Sequence, residues 1–334
     1  MSVATGSPAI EERIHRLRAE EPGRGRDALS VAQIPLAGWR DIALRVWEEI
    51  GRDRVGLIAA GVTFYVVLAM FPAMVLIISL YGLVADAATL NQHLSLLEGL
   101  APPAAIEIIG TELERIAAIQ SNELGLAVLV AAVFTLWSAN GAMKALFMAM
   151  NVAYEETETR GFFLLTVLTL GFTVAGIVLL VVVLNGIVLV PLAFEYVGAS
   201  LVGRLAGAVL PSLLLFVLLL LSISILYRFG ASRRPPRWRW VSVGSVGATL
   251  LVIAASAAFS FYLSRWGNYG ATYGSLGTAI ALMMWIYLTT FIVVAGAELN
   301  AEIEHQTARD TTVGPDRPLG ERDAYVADTV GEKS

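Results

Sequence analysis

Two charged residues, Lys144 and Glu298, lie inside the long apolar stretches of this 334-residue chain. Ionisable side chains are costly within a membrane, and they commonly mark ion pairs, transport pathways or ligand sites. Both residues lie near the predicted cytoplasmic end of their stretch, so they could pair if their helices are neighbours. We therefore predict an intramembrane polar site that suits a lipid headgroup or an anionic amphiphile, formed by Trp137, Asn140, Lys144, Asn151, Glu298 and Asn300.

The spacing around Lys144 is helical, because Asn140 precedes it by one turn and therefore shares its face. A structural interpretation of the same residues stays open. In it, Lys144 extends its ammonium group towards the membrane surface, and Glu298 only links helices through hydrogen bonds. The sequence does not decide between a ligand site and a structural link.

Hydrolytic chemistry has little support in the sequence. Cleavage of a phosphodiester needs carboxylates or histidines that hold metal ions, or a histidine pair that acts as acid and base. The histidines His15, His93 and His305 lie in two tails and one loop, and the acidic cluster at 155–158 has no histidine nearby. The chain has no cysteine and none of the common nucleotide-binding or hydrolase motifs. We expect no enzyme, no cofactor and no bound metal.

The composition indicates a membrane protein, since 57% of the residues are apolar and only 15% are charged. An ordinary soluble domain has about 25% charged residues. A helix that spans the hydrocarbon region needs about 20 apolar residues. Six stretches meet this requirement and predict an all-α fold with six transmembrane helices, at residues 55–84, 124–150, 162–194, 205–227, 241–263 and 276–299.

The basic residues predict the orientation of these helices. Of the 23 Lys and Arg residues, 20 fall in the N-terminal region, the second and fourth connections or the C-terminal tail. Cytoplasmic loops carry an excess of basic residues, so both termini are predicted to be cytoplasmic. The fourth connection is expected to contact lipid headgroups through Arg228, Arg233, Arg234, Arg237 and Arg239.

The segments around the membrane domain, residues 55–304, carry separate predictions. Residues 1–38 and 305–334 are polar and predict disordered cytoplasmic segments. Residues 39–54 have one apolar helical face and predict an amphipathic helix on the membrane surface, or else a linker helix packed on protein. Residues 85–123 predict an extracytoplasmic loop that contains a helix.

Two composition signals concern packing within the bundle. Pro72 lies in the middle of the first stretch and predicts a kinked helix. Small residues recur through the fifth stretch, which is therefore predicted to lie at the centre of the bundle.

Four stretches resemble the YihY/BrkB family of bacterial inner-membrane proteins. They are AAGVTFY with the following FP at 59–72, LWSANG at 136–141, LYRF at 226–229 with the arginine-rich segment after it, and YGSLG through GAELNA at 273–301. The resemblance covers positions 40 to 304, and it departs from the family at Ala69, Met70 and Gly230. It implies six helices and a bacterial cytoplasmic (inner) membrane location. Labels used within that family include virulence, serum resistance and an old ribonuclease BN label.

The function that these signals favour is the transport or flipping of a lipid or other amphiphile. The alternatives are a non-enzymatic envelope scaffold and a resistance-associated or virulence-associated membrane protein. Ribonuclease activity is not expected. Membrane lipids are the expected partners, a homo-oligomer is left open, and nucleic acid is not an expected partner.

Overall fold

The chain is helical over most of its described length in the computed structural model, which describes residues 8–84, 121–197, 201–266 and 275–333. Beyond the helices, these residues contain a 3-10 turn at Val31–Gln33 and an isolated bridge between Pro236 and Thr312. The helices are α1 Pro8–Ala19, α2 Leu36–Arg52, α3 Val55–Val84, α4 Ser121–Ala153, α5 Phe162–Val197, α6 Leu201–Phe229, α7 Trp238–Trp266, α8 Ser275–His305 and α9 Tyr325–Asp328.

The six longest helices, α3 to α8, coincide with the six apolar stretches to within a few residues at each end. Four segments of α5 to α8 are long and apolar enough to cross a membrane. A fifth candidate is the pair α2 and α3, which are bent by 58° at the break between Arg52 and Val55. The described residues therefore give four or five candidate spans, where the sequence predicts six.

The outer surface of the bundle is apolar, as lipid contact requires. Phe163 on α5 is 83% exposed, and Leu129 and Phe134 on α4 are also exposed. A soluble monomer rarely leaves contiguous apolar surface of this kind uncovered. Within the helices every backbone group can bond along its own segment, which is what hydrocarbon demands.

Helix α8 lies at the centre of the bundle, because it packs against α2, α3, α4, α7 and α9. Helix α7, predicted to be central, packs mainly against α6 and α8. Its small residues instead allow one close helix contact, where Gly244 faces Gly296 and Asn300 of α8. Asn300 reinforces this contact, since its Oδ1 accepts from the backbone N of Gly244 at 2.8 Å.

Helix α2 packs on protein through a charged face. Asp41, Ile42, Arg45 and Glu49 are buried, and the helix contacts α8. The apolar residue Trp47 is 78% exposed on the other side. This arrangement corresponds to the linker-helix interpretation of residues 39–54.

The terminal segments differ from the predicted disorder. Residues 8–19 form α1, and much of the chain from 306 to 333 is buried at one end of the bundle, which we call the polar end. The buried Arg26 donates to the carbonyl oxygens of Gln306 and Gly331, at 3.2 and 2.8 Å. Hydrogen bonds and ion pairs order these polar segments, a contribution that mean hydropathy does not register.

Two further predictions involve the first helix and the loop after it. Helix α3 continues through position 72, so Pro72 does not end it. In the predicted extracytoplasmic loop, residues 85–120 lie outside the described residues, and residues 121–123 belong to α4.

Candidate functional site

The residues of the predicted intramembrane site make contacts with different neighbours among the described residues. Lys144 donates to Thr166 Oγ1 at 3.0 Å, and its ammonium lies 5.1 Å from the centre of the Phe162 ring. Glu298 on α8 is 2% exposed and lies near Asp53 at the α2–α3 break, and its Oε1 is buried without a hydrogen-bond partner. The structure therefore does not bring Lys144 and Glu298 together, because each side chain lies against a different neighbouring element.

The other members have separate surroundings. Asn151 donates to Glu158 Oε2 at 2.9 Å and accepts from the backbone N of Ser232 at 2.7 Å. Asn300 joins α8 to α7, since its Nδ2 donates to the Val241 carbonyl at 3.0 Å. Trp137 is 80% exposed on the outer surface, and Asn140 is half-buried. Through these contacts, Asn151 and Asn300 each link separate segments of the chain.

A cavity of about 710 Å³ opens at the polar end, where the connections after α4 and α6 meet. We call it the arginine cavity. One part of its wall is cationic and the other is apolar. Its arginines are Arg160, Arg228, Arg233 and Arg234, and its large apolar residues are Phe147, Leu168, Phe172, Ile225 and Phe229.

Two of these arginines have carboxylate partners. Arg160 pairs with Glu158 at 2.7 Å and also donates to the Gly230 carbonyl at 2.7 Å. Arg233 is ion-paired with Glu304, and its guanidinium lies 4.9 Å from the centre of the Tyr154 ring. These contacts fix the two side chains at the cavity wall and neutralise their charges.

The other two arginines have no carboxylate within salt-bridge distance among the described residues. Arg228, at the end of α6, lies 4.3 Å above the Trp238 ring. Its Nε and Nη1 are buried without a hydrogen-bond partner, as are Nη1 of Arg233 and Nη1 of Arg234. Leaving a buried donor unpaired costs about 1–3 kcal/mol, and more for a charged group. The cavity wall therefore contains buried donors without partners and two positive charges that no described side chain balances.

A second cavity, of about 510 Å³, lies among α4, α5, α6 and α8. We call it the apolar cavity. Phe172 and Ile225 line both cavities, so the two are adjacent. Leu179, Leu218 and Leu221 are among the side chains that extend its wall along the bundle. Together the two cavities have a cationic end and an apolar end.

Three of the five arginines predicted to contact headgroups, Arg228, Arg233 and Arg234, line the arginine cavity. Arg237 pairs instead with Asp316 of the C-terminal segment, and Arg239 is exposed at the start of α7. Sequence reasoning missed Arg160, because one arginine next to an acidic cluster gives no sign of which side chains it will meet.

A second charged network, also missed, joins α2 to α8 at the polar end. Arg45 is paired with Glu302, and its Nη2 donates to Gln306 Oε1 at 2.7 Å. Burial raises the pKa of Asp53, which lies at the break between α2 and α3. Only the placement of polar residues every three or four positions on α2 could have indicated this network.

The residues that could support hydrolysis lie apart. In the described part of the chain, no three His, Asp or Glu side chains form a group that could hold a metal ion. Within the cluster at 155–158, Glu156 accepts from the backbone N of Tyr325 at 2.8 Å, and Glu158 pairs with Arg160. These carboxylates thus bind loops to one another.

The Glu158–Arg160 pair makes stability depend on pH. Hydrogen bonds from Arg160 lower the pKa of Glu158 to about 2. The unfolded carboxyl titrates near 4.3, so its stabilising effect is complete above about pH 4.5 and is lost as the pH falls towards 2. Because the Glu158 carboxylate is only partly buried, we expect Glu158→Gln to cost about 1 kcal/mol or less at pH 6, and a smaller fraction of that at pH 2.5.

Thermal unfolding in detergent between pH 2.5 and 6 measures this effect. Glu321→Gln is a suitable control, because this exposed carboxyl has no ion pair among the described residues. A Glu158→Gln deficit that stays constant over the whole range would contradict the assigned pair.

The apolar helices, their lipid-type surface and the amphiphilic cavities define a multi-pass α-helical membrane protein. A family model described as virulence factor BrkB matches residues 46–319, and the chain belongs to that family.

Several relatives are similar to this chain, and the length of the matched region differs between them. The ribonuclease-like protein YfkH of Bacillus subtilis (strain 168) is 29% identical over 247 residues, which are 73% of this chain and 88% of that protein. A UPF0761 membrane protein of Verminephrobacter eiseniae is 26% identical over 273 residues, covering 79% of this chain and 62% of the relative. A UPF0761 membrane protein of Tolumonas auensis is 34% identical over 104 residues, or 31% of this chain and 34% of its own. No solved structure matches.

Proposed function

We propose that this protein binds an amphiphile with an acidic headgroup and moves it between the two leaflets of the membrane. The observation that carries this proposal is the pair of adjacent cavities, one cationic and one apolar, which meet at Phe172 and Ile225. The headgroup occupies the arginine cavity, and the chain lies in the apolar cavity. In this arrangement the acidic headgroup contacts the cationic wall, and the acyl chain contacts the apolar wall.

The proposed setting is the bacterial cytoplasmic membrane, with six spans and both termini in the cytoplasm. The distribution of basic residues supports it, since 20 of 23 fall on the predicted cytoplasmic side. In this orientation the polar end faces the cytoplasm, and the arginine cavity lies at the depth of the inner-leaflet headgroups. A ligand could then enter the cavity sideways from the leaflet.

A non-enzymatic envelope scaffold is the second candidate. The contacts of Asn151 and Asn300 favour it, because both side chains join separate segments of the bundle. A scaffold has no need of a ligand, so lipid movement distinguishes the two candidates.

The test is lipid movement in proteoliposomes that contain phosphatidylglycerol labelled on its acyl chain with a fluorophore. We expect the protein to speed the transfer of the label between leaflets, measured by chemical quenching of the outer leaflet. Ile225→Trp should slow this transfer, because the larger ring fills the junction of the two cavities. Excluding two methylene groups of the ligand from apolar contact weakens its binding about tenfold.

Leu215→Trp is the matched control, since Leu215 and Ile225 lie on α6 and are each 39% exposed, but Leu215 lines neither of these two cavities. It should leave transfer unchanged. Transfer no faster than in protein-free vesicles would exclude movement of this lipid. If both variants slowed transfer equally, the lipid would not be using the two cavities.

A further inference from the structure

We infer that the arginine cavity binds a phosphomonoester dianion, as in phosphatidic acid, in preference to a singly charged phosphodiester. This inference rests on the proposed function, because it names the headgroup of that amphiphile. Its basis is the charge balance of the cavity together with the buried donors that have no partner.

Two positive charges of the cavity wall need two negative charges from a ligand to balance them. Arg160 and Arg233 are neutralised by Glu158 and Glu304. Arg228 and Arg234 have no such partner among the described residues. Asp323, the acidic residue of the cavity wall, pairs with Arg317. A phosphomonoester carries about −1.5 to −2 charge at pH 7, whereas a phosphodiester carries one.

The donors also suit a phosphomonoester. Four buried nitrogen atoms without a partner belong to three arginines of the wall: Arg228 Nε and Nη1, Arg233 Nη1 and Arg234 Nη1. Buried polar groups in native proteins are nearly always hydrogen-bonded. A buried donor without a protein partner therefore favours the binding of an ion or a water molecule. A terminal phosphate offers three acceptor oxygens to donors that approach from several sides. A phosphodiester offers two such oxygens because its other two are esterified.

Packing holds Arg228 in place for this role. The faces of Trp238 and Phe229 lie 4.3 and 5.3 Å from its guanidinium carbon. Aromatic faces attract a cation without using its N–H groups, so they orient the guanidinium and leave its donors available. A guanidinium with free donors matches phosphate geometry better than an ammonium does.

The test compares lipids that share acyl chains and differ in headgroup charge. Purified protein in detergent is titrated at pH 7.5 with phosphatidic acid, phosphatidylglycerol and phosphatidylcholine, and bound lipid is counted by native mass spectrometry. We expect phosphatidic acid to bind about tenfold more tightly than phosphatidylglycerol, since one additional charged hydrogen bond changes affinity by about that factor. Phosphatidylcholine should bind most weakly.

The variants Arg228→Gln and Arg234→Gln each remove one unbalanced charge. Each should weaken phosphatidic acid binding about tenfold and reduce its advantage over phosphatidylglycerol. Arg237→Gln is the matched control, because Arg237 lies in the same connection but pairs with Asp316 outside the cavity. It should leave both affinities unchanged. Thermal unfolding of all three variants shows whether the proteins remain folded.

The outcomes separate this inference from the proposed function. If both anionic lipids bound with equal affinity and Arg228→Gln weakened both, the preference for a dianionic headgroup would be wrong. The proposal that the cavity binds an acidic amphiphile would still hold. Affinities that the two cavity variants leave unchanged would overturn the site itself. Inorganic phosphate should compete with phosphatidic acid only weakly, because it lacks the acyl chains. Competition at equal concentration would assign the cavity to soluble phosphate instead.

Discussion

Replacing Arg45 with methionine should lower the free energy of unfolding by about 3–5 kcal/mol, which is the usual cost of breaking a buried ion pair from one side. The pair formed with Glu302 is almost fully buried, at 7% and 4% side-chain exposure. Arg45 also donates to the Glu332 carbonyl at 2.7 Å and to Gln306 Oε1 at 2.7 Å. Its loss therefore leaves a buried carboxylate and unpaired acceptors on two other segments.

Thermal or denaturant unfolding in a mild detergent measures this loss. Arg52→Met is the control, because its side chain is 65% exposed and reaches the buried Glu49 from the solvent side, so a smaller cost of about 1 kcal/mol is expected. Adding Glu302→Gln to Arg45→Met should recover part of the loss by removing the stranded charge. A cost for Arg45→Met no greater than that for Arg52→Met would show that the network does not stabilise the fold.

The second large effect is expected where α7 and α8 approach each other. A Cβ atom at Gly244 would lie 2.5 Å from the Gly296 carbonyl oxygen and 2.5 Å from Asn300 Cγ. Both are far closer than van der Waals contact, and the carbonyl belongs to a packed backbone. Gly244→Ala should therefore destabilise the protein by about 1–3 kcal/mol, despite the gain in helix propensity.

Gly247→Ala is the matched control one turn along α7, since a Cβ there meets no heavy atom within 4 Å. We expect it to be neutral or to stabilise the protein by up to about 1 kcal/mol, measured by the same unfolding experiments. If Gly244→Ala were as stable as Gly247→Ala, the close approach of the two helices would be refuted.

The helices were predictable because their signal is local. An apolar run of 23 residues or more shows its length in the sequence, and its charged neighbours mark its ends. The predicted stretch at 55–84 matches the bounds of α3. Which helices pack against each other could not be predicted in this way. Small residues on α7 correctly indicated a close contact, but they did not show that α8 would be the central helix.

The candidate site was predicted only in part, because the rotation of each helix decides which side chains meet. Lys144 and Glu298 were grouped by depth along the bundle, yet Lys144 contacts Thr166 on α5 and Glu298 contacts Asp53. Arg228, Arg233 and Arg234 were found because they lie in one short connection whose charge pattern is visible. Their shared cavity depends on Phe147 and Phe172, which come from α4 and α5 and carry no local signal.

The contacts between the two terminal segments bear on how the protein is made. Arg26 is synthesised long before Gln306 and Gly331, whose carbonyl oxygens receive its hydrogen bonds. During translation Arg26 can pair with nearby Glu21, but its bonds to the later segment can form only once residue 331 has been synthesised. A polypeptide released before that point would lack the hydrogen bonds that Arg26 and Arg45 make to the later segment.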